Sequence, residues 1–302
     1  MELAMIGLGK MGLNMTTRLV QGGHRVVGYA LSADSVAAAV KNGAEGARSL
    51  KEAVAKLRAP RLLWVMIPAG KPTDDTVNEL SGLLSRGDIV IDGGNSNYHD
   101  SIRHAQLLEA RGIEFIDSGT SGGVWGLTEG YSLMLGGKPE IVDSVSPIFE
   151  TLAPAKDKGW GYVGPHGAGH YVKMVHNGIE YGMMEALAEG FDIMRAKTDF
   201  NLDVYKISEI WRYGSVVRSW LLDLTAIVLK SDPTLADIEP WVDDSGEGRW
   251  TVLESLEHAI PAPIITLALQ MRFASRNTEN YAARLLAAMR NEFGGHAEKK
   301  AS

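Results

Sequence analysis

The chain has 302 residues, of which 45% are hydrophobic and 22% are charged, so one large or two ordinary globular domains are expected. Its formal net charge of −7 argues against broad binding to nucleic acid, and the absence of cysteine excludes disulfides, thiolate metal sites and cysteine nucleophiles. The first residues lack the pattern of a secretory signal, and no apolar stretch approaches the roughly 18 residues of a membrane span. We therefore expect a cytoplasmic protein without a membrane partner.

Residues 1–163 alternate between short apolar runs and helical patterns. The runs are apolar nearly throughout, as expected for strands whose two sheet faces are both covered by helices. The alternation predicts an α/β domain with a doubly wound, mainly parallel Rossmann-type sheet, although the strands after Glu114 need not keep that direction. The predicted strands are 3–7, 25–29, 61–67, 88–92, 114–118 and 131–136.

The alternation stops near Gly164, and long helical patterns follow it. They predict a second, all-helical domain. We expect domains over 1–164 and 165–289, with a polar tail over 290–302. The predicted helices are 168–197, 203–213, 216–230 and 262–290.

A glycine-rich turn after the first strand predicts a dinucleotide site. Gly7 allows a tight turn, Gly9 lets a pyrophosphate approach the backbone, and Gly12 lets helix and strand pack closely. A purely structural glycine turn is the alternative, but the position at the start of a helix within a βαβ unit favours binding. The residues expected at the cofactor are Gly7, Leu8, Gly9, Lys10, Met11 and Gly12.

The end of the second strand normally selects the cofactor, through an acidic residue for the ribose of NAD or an arginine for the phosphate of NADP. Here Ala30, Leu31 and Ser32 follow the strand and supply neither group. Asp34 lies too far along, and helix capping explains it equally well. The choice between NAD and NADP stays open, and the missing arginine favours NAD.

Two further loops, over 92–96 and 117–123, come directly after predicted strands. Ligands of open α/β sheets bind at the carboxyl ends of the strands, so these loops are expected in one crevice. Each loop alone could be an ordinary glycine turn. Together they favour binding, because their small residues give access and Asn95 and Ser121 offer hydrogen bonds.

Four polar residues recur at the spacing i, i+3, i+4 and i+7 on a predicted helix: Lys173, His176, Asn177 and Glu180. They share one helix face, which would be apolar if it packed against a core. Each alone is explained without a function, as a solvated surface lysine or a hydrogen-bonded polar group in the core. The four together favour a functional site. Near the helix start, the dipole and desolvation would lower the pKa of Lys173, so that a neutral amine could take a proton from an alcohol. Glu180 could serve as a separate acid.

Arginines recur late in the chain and suit phosphate or carboxylate groups, although each alone is better explained as surface charge. They are Arg249, Arg272 and Arg290. No metal is expected, because the histidines lack metal-binding spacing and the pair His166 and His170 straddles a glycine-rich helix start. A Ser-His-Asp hydrolase is disfavoured, because the sequence has no G-x-S-x-G motif.

These motifs resemble those of the 6-phosphogluconate dehydrogenase (decarboxylating) family, in its short form, along essentially the whole chain. The most specific one is K-x-x-H-N-x-x-E-Y over 173–181, whereas the broader β-hydroxyacid dehydrogenase superfamily shares only Gly169, Lys173 and Asn177. The matching segments are GLGKMG (7–12), MIPAG (66–70), DGGNS (92–96), SGTSGG (118–123), GHYVKMVHNGIEYG (169–182), GRWT (248–251) and RNEFGGH (290–296).

The resemblance implies oxidative decarboxylation of 6-phosphogluconate to ribulose 5-phosphate and CO2, a step of the pentose phosphate pathway, with reduction of NAD or NADP. Lys173 would remove the C3 hydroxyl proton and later return it to the enolate oxygen, and Glu180 would protonate C1. The cofactor would also contact Ala30, Leu31, Ser32, Ile67, Pro68, Ala69 and Asn95. The substrate would contact Asn95, Ser121, Gly122, Gly123, His176, Asn177, Tyr181, Arg249, Thr251 and Arg272.

In this family a C-terminal R-x-x-F-G-x-H segment reaches a neighbouring subunit, which implies a homodimer or homotetramer with Arg290 and His296 binding substrate in trans. The chain departs from the family where Arg249 replaces a common lysine and where Ala30–Ser32 replaces the Asn-Arg-Thr type of segment used with NADP. It also lacks the second helical repeat of the long forms, so its dimer contacts are expected to differ.

Two other functions remain open. A β-hydroxyacid dehydrogenase acting on a smaller, unphosphorylated acid would explain Lys173 and Asn177, but not His176, Glu180 or the arginines. A non-catalytic dinucleotide-sensing scaffold would keep the glycine turn, but it would have no use for the spacing of the lysine and the carboxylate.

Overall fold

The structure is a computed structural model, and it describes residues 1–294. The chain divides into two compact units, Met1–Asn177 and Gly178–Ser302. The first is an α/β unit and the second is helical, as the sequence predicted. The division falls inside one long helix, Ala168–Ala196, while the domain limits taken from the sequence pattern stay a prediction.

The first unit contains one eight-stranded sheet. Its strands are β1 (Glu2–Ile6), β2 (Arg25–Tyr29), β3 (Glu45–Gly46), β4 (Leu62–Val65), β5 (Ile89–Asp92), β6 (Glu114–Ser121), β7 (Ser132–Gly137) and β8 (Trp160–Gly164). The strand order is β3-β2-β1-β4-β5-β6-β7-β8, and all neighbours are parallel except β6 and β7. The order reverses between β1 and β4, which creates a crevice at their carboxyl ends.

Helices cover both faces of the sheet. Along β1, Leu3 and Met5 belong to one hydrophobic core and Ala4 and Ile6 to the other, which explains why the strands are apolar at every position. The helices of this unit are α1 (Lys10–Gln21), α2 (Ala33–Lys41), α3 (Leu50–Ala55), α4 (Lys71–Leu83), α5 (Tyr98–Glu109), α6 (Gly126–Glu129), α7 (Pro139–Ser144) and α8 (Ser146–Leu152).

The pairing register aligns the carboxyl ends of β4 and β5 with the middle of β6, which extends four residues further. Val65 of β4 pairs with Asp92 of β5, and Asp92 pairs with Asp117 of β6. The loops that follow β4 and β5 therefore leave the sheet at one edge, next to the last residues of β6.

The helix Ala168–Ala196 is α9; it begins in the first unit and continues into the second. The other helices of the second unit are α10 (Val204–Arg212), α11 (Trp220–Ser231), α12 (Glu247–Glu257), α13 (Pro263–Arg276) and α14 (Tyr281–Gly294). No helix within residues 1–294 is both long enough and apolar enough to cross a membrane.

The predicted single helix over 262–290 is wrong, because the structure has two helices, α13 and α14, at this place. The side chain of Asn277 accepts a hydrogen bond from the N–H of Asn280, and that of Asn280 accepts one from Ala283. Such local bonds compete with a continuous helix and cap the start of the next one. The sequence pattern also missed the helix α12 and the strands β3 and β8. These two strands are the edges of the sheet.

Candidate functional site

The turn between β1 and α1 has the form of a phosphate cradle. Gly7 has a φ of +100°, and a Cβ there would lie 2.2 Å from the carbonyl oxygen of Met66. A Cβ on Gly12 would lie 2.0 Å from the carbonyl oxygen of Gly7. Gly9 faces open space, and no described side chain caps the helix that starts after it. The first N–H groups of α1 therefore suit an anionic phosphate.

The loop after β4 lies between this turn and the loop after β5. It contacts Gly7 through Met66, and a Cβ on Gly94 would lie 2.4 Å from the carbonyl oxygen of Ile67. The carbonyl oxygen of Pro68 accepts a hydrogen bond of 2.9 Å from the hydroxyl of Thr73, which ties the loop to α4. The segment Ile67, Pro68 and Ala69, expected at the cofactor, is thus held beside the glycine turn.

The segment after β2 presents a small and uncharged surface. The side chain of Leu31 is 96% exposed. The hydroxyl of Ser32 accepts a hydrogen bond from the N–H of Ser35 and so caps α2, a role that Asp34 does not take. Ala30, Leu31 and Ser32 offer no cation for a phosphate.

Asn95 joins the loop after β5 directly to the last residues of β6. Its amide donates to the carbonyl oxygen of Thr120 at 3.3 Å and accepts from the N–H of the same residue at 3.1 Å. Asp92 supports the loop by accepting bonds from the N–H of Gly94 and the hydroxyl of Ser96. The two segments expected to share a crevice therefore lie side by side, and the amide of Asn95 bonds one to the other.

The predicted loop over 117–123 is wrong for residues 117–121, which belong to β6; Ser121 ends that strand, and Gly122 and Gly123 follow it. Gly122 has a φ of +136°, and a Cβ on it would lie 3.0 Å from the ring of Tyr131. Gly123 faces open space. Burial raises the pKa of Tyr131 to about 12, so its phenol stays protonated at neutral pH. A buried ring thus supports an accessible glycine pair.

Lys173 lies on α9 and is buried, with 5% of its surface exposed. Its Nζ lies 3.4 Å from Nδ1 of His176, and the same Nδ1 lies 3.0 Å from Oδ1 of Asn177. One imidazole nitrogen cannot accept from the lysine and donate to the amide oxygen at the same time. Whether Nδ1 carries the ring hydrogen, which depends on the tautomer, therefore decides which of these two contacts is a hydrogen bond.

Gly119 lets α9 approach β6 closely. A Cβ at this position would lie 2.4 Å from both the carbonyl oxygen of Gly169 and the Cβ of Lys173. Lys173 consequently leaves its helix directly beside the strand that ends in Ser121.

In the second unit, the next residues of the polar stripe are Glu180, which is half-buried, and Tyr181, which is buried. The hydroxyl of Tyr181 accepts the N–H of Ser245 at 3.2 Å. The guanidinium of Arg272 stacks over the ring of Tyr181, 3.6 Å from its centroid, and donates to the carbonyl oxygen of Asp243 at 2.7 Å. Tyr181 and Arg272 are thus held together.

A second arginine group surrounds Asp244. Arg249 donates to its carboxylate at 2.6 Å and Arg276 donates at 2.7 Å, while the side chain of Asp244 is 3% exposed. The hydrogen bond from Arg249 and then that from Arg276 hold the pKa of Asp244 below its usual range. Sequence reasoning selected Arg249 but missed Arg276 and Asp244, for which the available signals were the acidic pair before GRWT and the i, i+4 spacing of Arg272 and Arg276.

Three other expected residues are less informative. The hydroxyl of Thr251 donates to the carbonyl oxygen of Glu247 at 2.8 Å, one turn earlier in α12. Arg290 is exposed on α14, and His296 lies outside the described residues. Within residues 1–294, no group of three or more histidine, aspartate or glutamate residues could hold a metal ion.

The doubly wound sheet with its glycine cradle, followed by a helical unit, defines an NAD(P)-dependent oxidoreductase. The family description "NAD binding domain of 6-phosphogluconate dehydrogenase" matches residues 2–164, and "6-phosphogluconate dehydrogenase, C-terminal domain" matches residues 169–301. The chain belongs to the 6-phosphogluconate dehydrogenase family. The fold class, the enzyme class and the family resemblance predicted from sequence are confirmed.

Individual proteins agree with this assignment. A Bacillus subtilis protein named as a 6-phosphogluconate dehydrogenase is 42% identical, over 99% of this chain and 100% of its own. The NAD(+)-dependent, decarboxylating 6-phosphogluconate dehydrogenase of Haloferax volcanii is 41% identical, over 98% of each chain. The 6-phosphogluconate dehydrogenase of Plasmodium falciparum, solved in its apo form and in complexes with NADP+ and with 6-phosphogluconate, superposes with a TM-score of 0.83 at 30% identity, over 100% of this chain and 66% of that one.

Proposed function

We propose that the protein oxidatively decarboxylates 6-phosphogluconate to ribulose 5-phosphate and CO2, with NAD as its preferred oxidant. The observation that carries this proposal is the buried Lys173 beside the end of β6, with the half-buried His176 and Asn177 next to it, in a chain of this family. A buried amine next to an imidazole is suited to proton transfer at a substrate hydroxyl.

The cofactor would be held by the first unit. When bound, its nicotinamide accepts a hydride from the substrate. The glycine turn and the first N–H groups of α1 bind its pyrophosphate, and the loop of Ile67, Pro68 and Ala69 lies beside them. NAD is favoured because the exposed Leu31 and the capping Ser32 give a 2′-phosphate no cation to bind.

Lys173 takes the proton of the C3 hydroxyl as C3 is oxidised. After CO2 leaves the resulting 3-keto acid, the same ammonium returns its proton to the enolate oxygen. The low exposure of Lys173 supports this role, because little water reaches a buried amine to compete with the substrate in the proton transfer. His176 and Asn177 orient the sugar acid.

Glu180 protonates C1 of the enediol in the last step. It lies seven residues after Lys173 on α9, so the two groups share a helix face but stand about two turns, or roughly 10 Å, apart. This spacing supports two separate proton transfers, one at C3 and one at C1.

Arg249 and Arg272 hold the phosphate of the substrate, with Tyr181 and Thr251 as neighbours. Stacking of Arg272 on Tyr181 and of Arg249 on Phe273 orients both guanidinium planes, which lowers the entropy lost when they bind an anion. Ser121, Gly122 and Gly123 contact the other end of the sugar acid.

We further propose that the protein works in the cytoplasm as a homodimer or homotetramer. Large apolar side chains on several helices of the second unit support association, among them Ile193, Leu256, Ile264 and Leu286, which are each more than half exposed. Arg290 and His296 would then contribute to the site of a neighbouring subunit.

Purified protein tests the proposal with 6-phosphogluconate and either NAD or NADP. We expect reduced cofactor and CO2 in equal amounts, at a higher kcat/KM with NAD. Reduction without CO2 release would refute the decarboxylation. Turnover of a smaller unphosphorylated hydroxyacid in preference to 6-phosphogluconate would favour the β-hydroxyacid dehydrogenase alternative, and cofactor binding without turnover of either acid would favour a sensing scaffold.

A further inference from the structure

A carboxylate of the sheet caps the helix that carries Lys173. Asp117 of β6 is completely buried. Its Oδ1 accepts the N–H of Gly167 at 2.7 Å and its Oδ2 accepts the N–H of His170 at 2.9 Å. The first N–H groups of a helix have no partner within the helix, so Asp117 satisfies two donors at the start of α9 from outside it.

Asp117 is packed tightly between the neighbouring strand and the start of α9. A Cβ on Gly136 of the neighbouring strand would lie 2.5 Å from Oδ1 of Asp117. A Cβ on Gly169 of α9 would lie 2.5 Å from the carbonyl oxygen of Asp117. Glycines at both positions therefore allow the helix start to rest directly on the carboxylate.

A second bond holds the same helical turn. Nδ1 of His170 lies 2.7 Å from the hydroxyl of Ser101, and both side chains are buried. Ser101 belongs to α5, which follows the loop containing Asn95. The start of α9 is thus fixed from the sheet on one side and from α5 on the other.

We propose that Asp117 is a positioning residue, which sets where the amine of Lys173 lies by fixing the first turn of α9 on β6. Lys173 lies one turn after His170, and Gly119, two residues after Asp117 on the same face of β6, contacts its Cβ. Proton transfer needs the base within hydrogen-bond reach, so a shift of the helix start slows the reaction without removing the base.

The decisive variant is Asp117→Asn, which keeps the shape but loses the charge and one of the two acceptors. This inference rests on the proposed function, so the wild type is first shown to oxidise 6-phosphogluconate, and failure of that step counts against the function alone. We expect kcat per NAD-binding site to fall at least about tenfold with little change in the KM for NAD. We also expect a larger kinetic isotope effect with substrate deuterated at C3, because the chemical step becomes more rate-limiting.

Asp88 supplies a matched control. It is also completely buried, and its carboxylate accepts the N–H of Arg61 at 2.7 Å and of Ser85 at 2.9 Å, but it lies just before β5, at the opposite end of that strand from the Asn95 loop. Asp88→Asn should lower the melting temperature as Asp117→Asn does, with kcat within about twofold of the wild type.

The isotope effect separates positioning from stability. A smaller folded fraction lowers the apparent rate but leaves the isotope effect unchanged. An Asp117→Asn protein with the wild-type kcat, or with a lower kcat and an unchanged isotope effect, would overturn the proposal. So would an Asp117→Asn chain that fails to fold while Asp88→Asn folds, since Asp117 would then serve stability only.

Discussion

The two units hold their candidate residues in place by different means. In the first unit, backbone geometry dominates: Gly7, Gly12 and Gly119 are held within contact distances that no other residue fits. In the second, charged side chains hold one another, as Arg249 does with the buried Asp244. In the proposed function, the first unit holds the cofactor and carries Lys173, and the second unit carries the arginines that bind the anion. Variants in the two units should therefore change different kinetic constants.

The largest effect is expected from Lys173→Met in the first unit. Loss of the base should lower kcat by about 10²–10⁴-fold, while the affinity for NAD, measured by fluorescence titration, stays unchanged. Lys71→Met, which replaces a lysine whose side chain is 84% exposed, is the control and should retain full activity. Turnover near the wild-type rate in Lys173→Met would remove the lysine from the chemistry.

Arg272→Gln, in the second unit, should change the KM for 6-phosphogluconate. A charge-assisted hydrogen bond contributes about 1.5–3 kcal/mol, so its loss should raise the KM for 6-phosphogluconate by about 10–100-fold. The KM for NAD should not change. Arg284→Gln, in which an exposed arginine paired with Glu279 is replaced, should leave both constants as they are. Equal effects on both KM values would contradict the division between the units.

Leu31→Arg tests whether the exposed segment after β2 selects the cofactor. An arginine there gives a 2′-phosphate a partner, so the ratio of kcat/KM for NADP to that for NAD should rise about tenfold. Val40→Arg adds the same charge further along α2 and should leave the ratio near its original value. An unchanged ratio in Leu31→Arg would assign the choice to other residues.

The smallest effect concerns the stability of the second unit and its dependence on pH. Because the pKa of Asp244 is lowered in the folded state, its stabilising contribution is present at neutral pH and is lost as the pH falls through that lowered value. Asp244→Asn should cost about 1–2 kcal/mol of the free energy of unfolding at neutral pH; the cost should begin to shrink below about pH 4 and disappear only in stronger acid, below the lowered pKa of the folded state. Denaturant titrations at both pH values measure this, with the exposed Asp199→Asn as control. A cost that persists unchanged in acid would show that the charge of Asp244 is not the cause.

The sequence alone determined the order of the main elements and supplied most of the residues of the proposed site. Apolar runs and helical periods depend on local chemistry, so the strand 25–29 was placed at its observed limits and α9 within one residue. The glycine spacing of the first turn and the i, i+3, i+4, i+7 stripe on α9 are also local patterns. They could therefore be found without knowing the fold.

The tertiary structure decided what these residues contact. It reversed β7 against β6, divided the last predicted helix at Asn277–Asn280, and joined Asn95 in the loop after β5 to Thr120 of β6. It also brought Asp117 to the start of α9, although 50 residues separate it from Gly167. Such bonds depend on strand order and close packing, which arise between distant segments, so no pattern within one segment of the sequence records them.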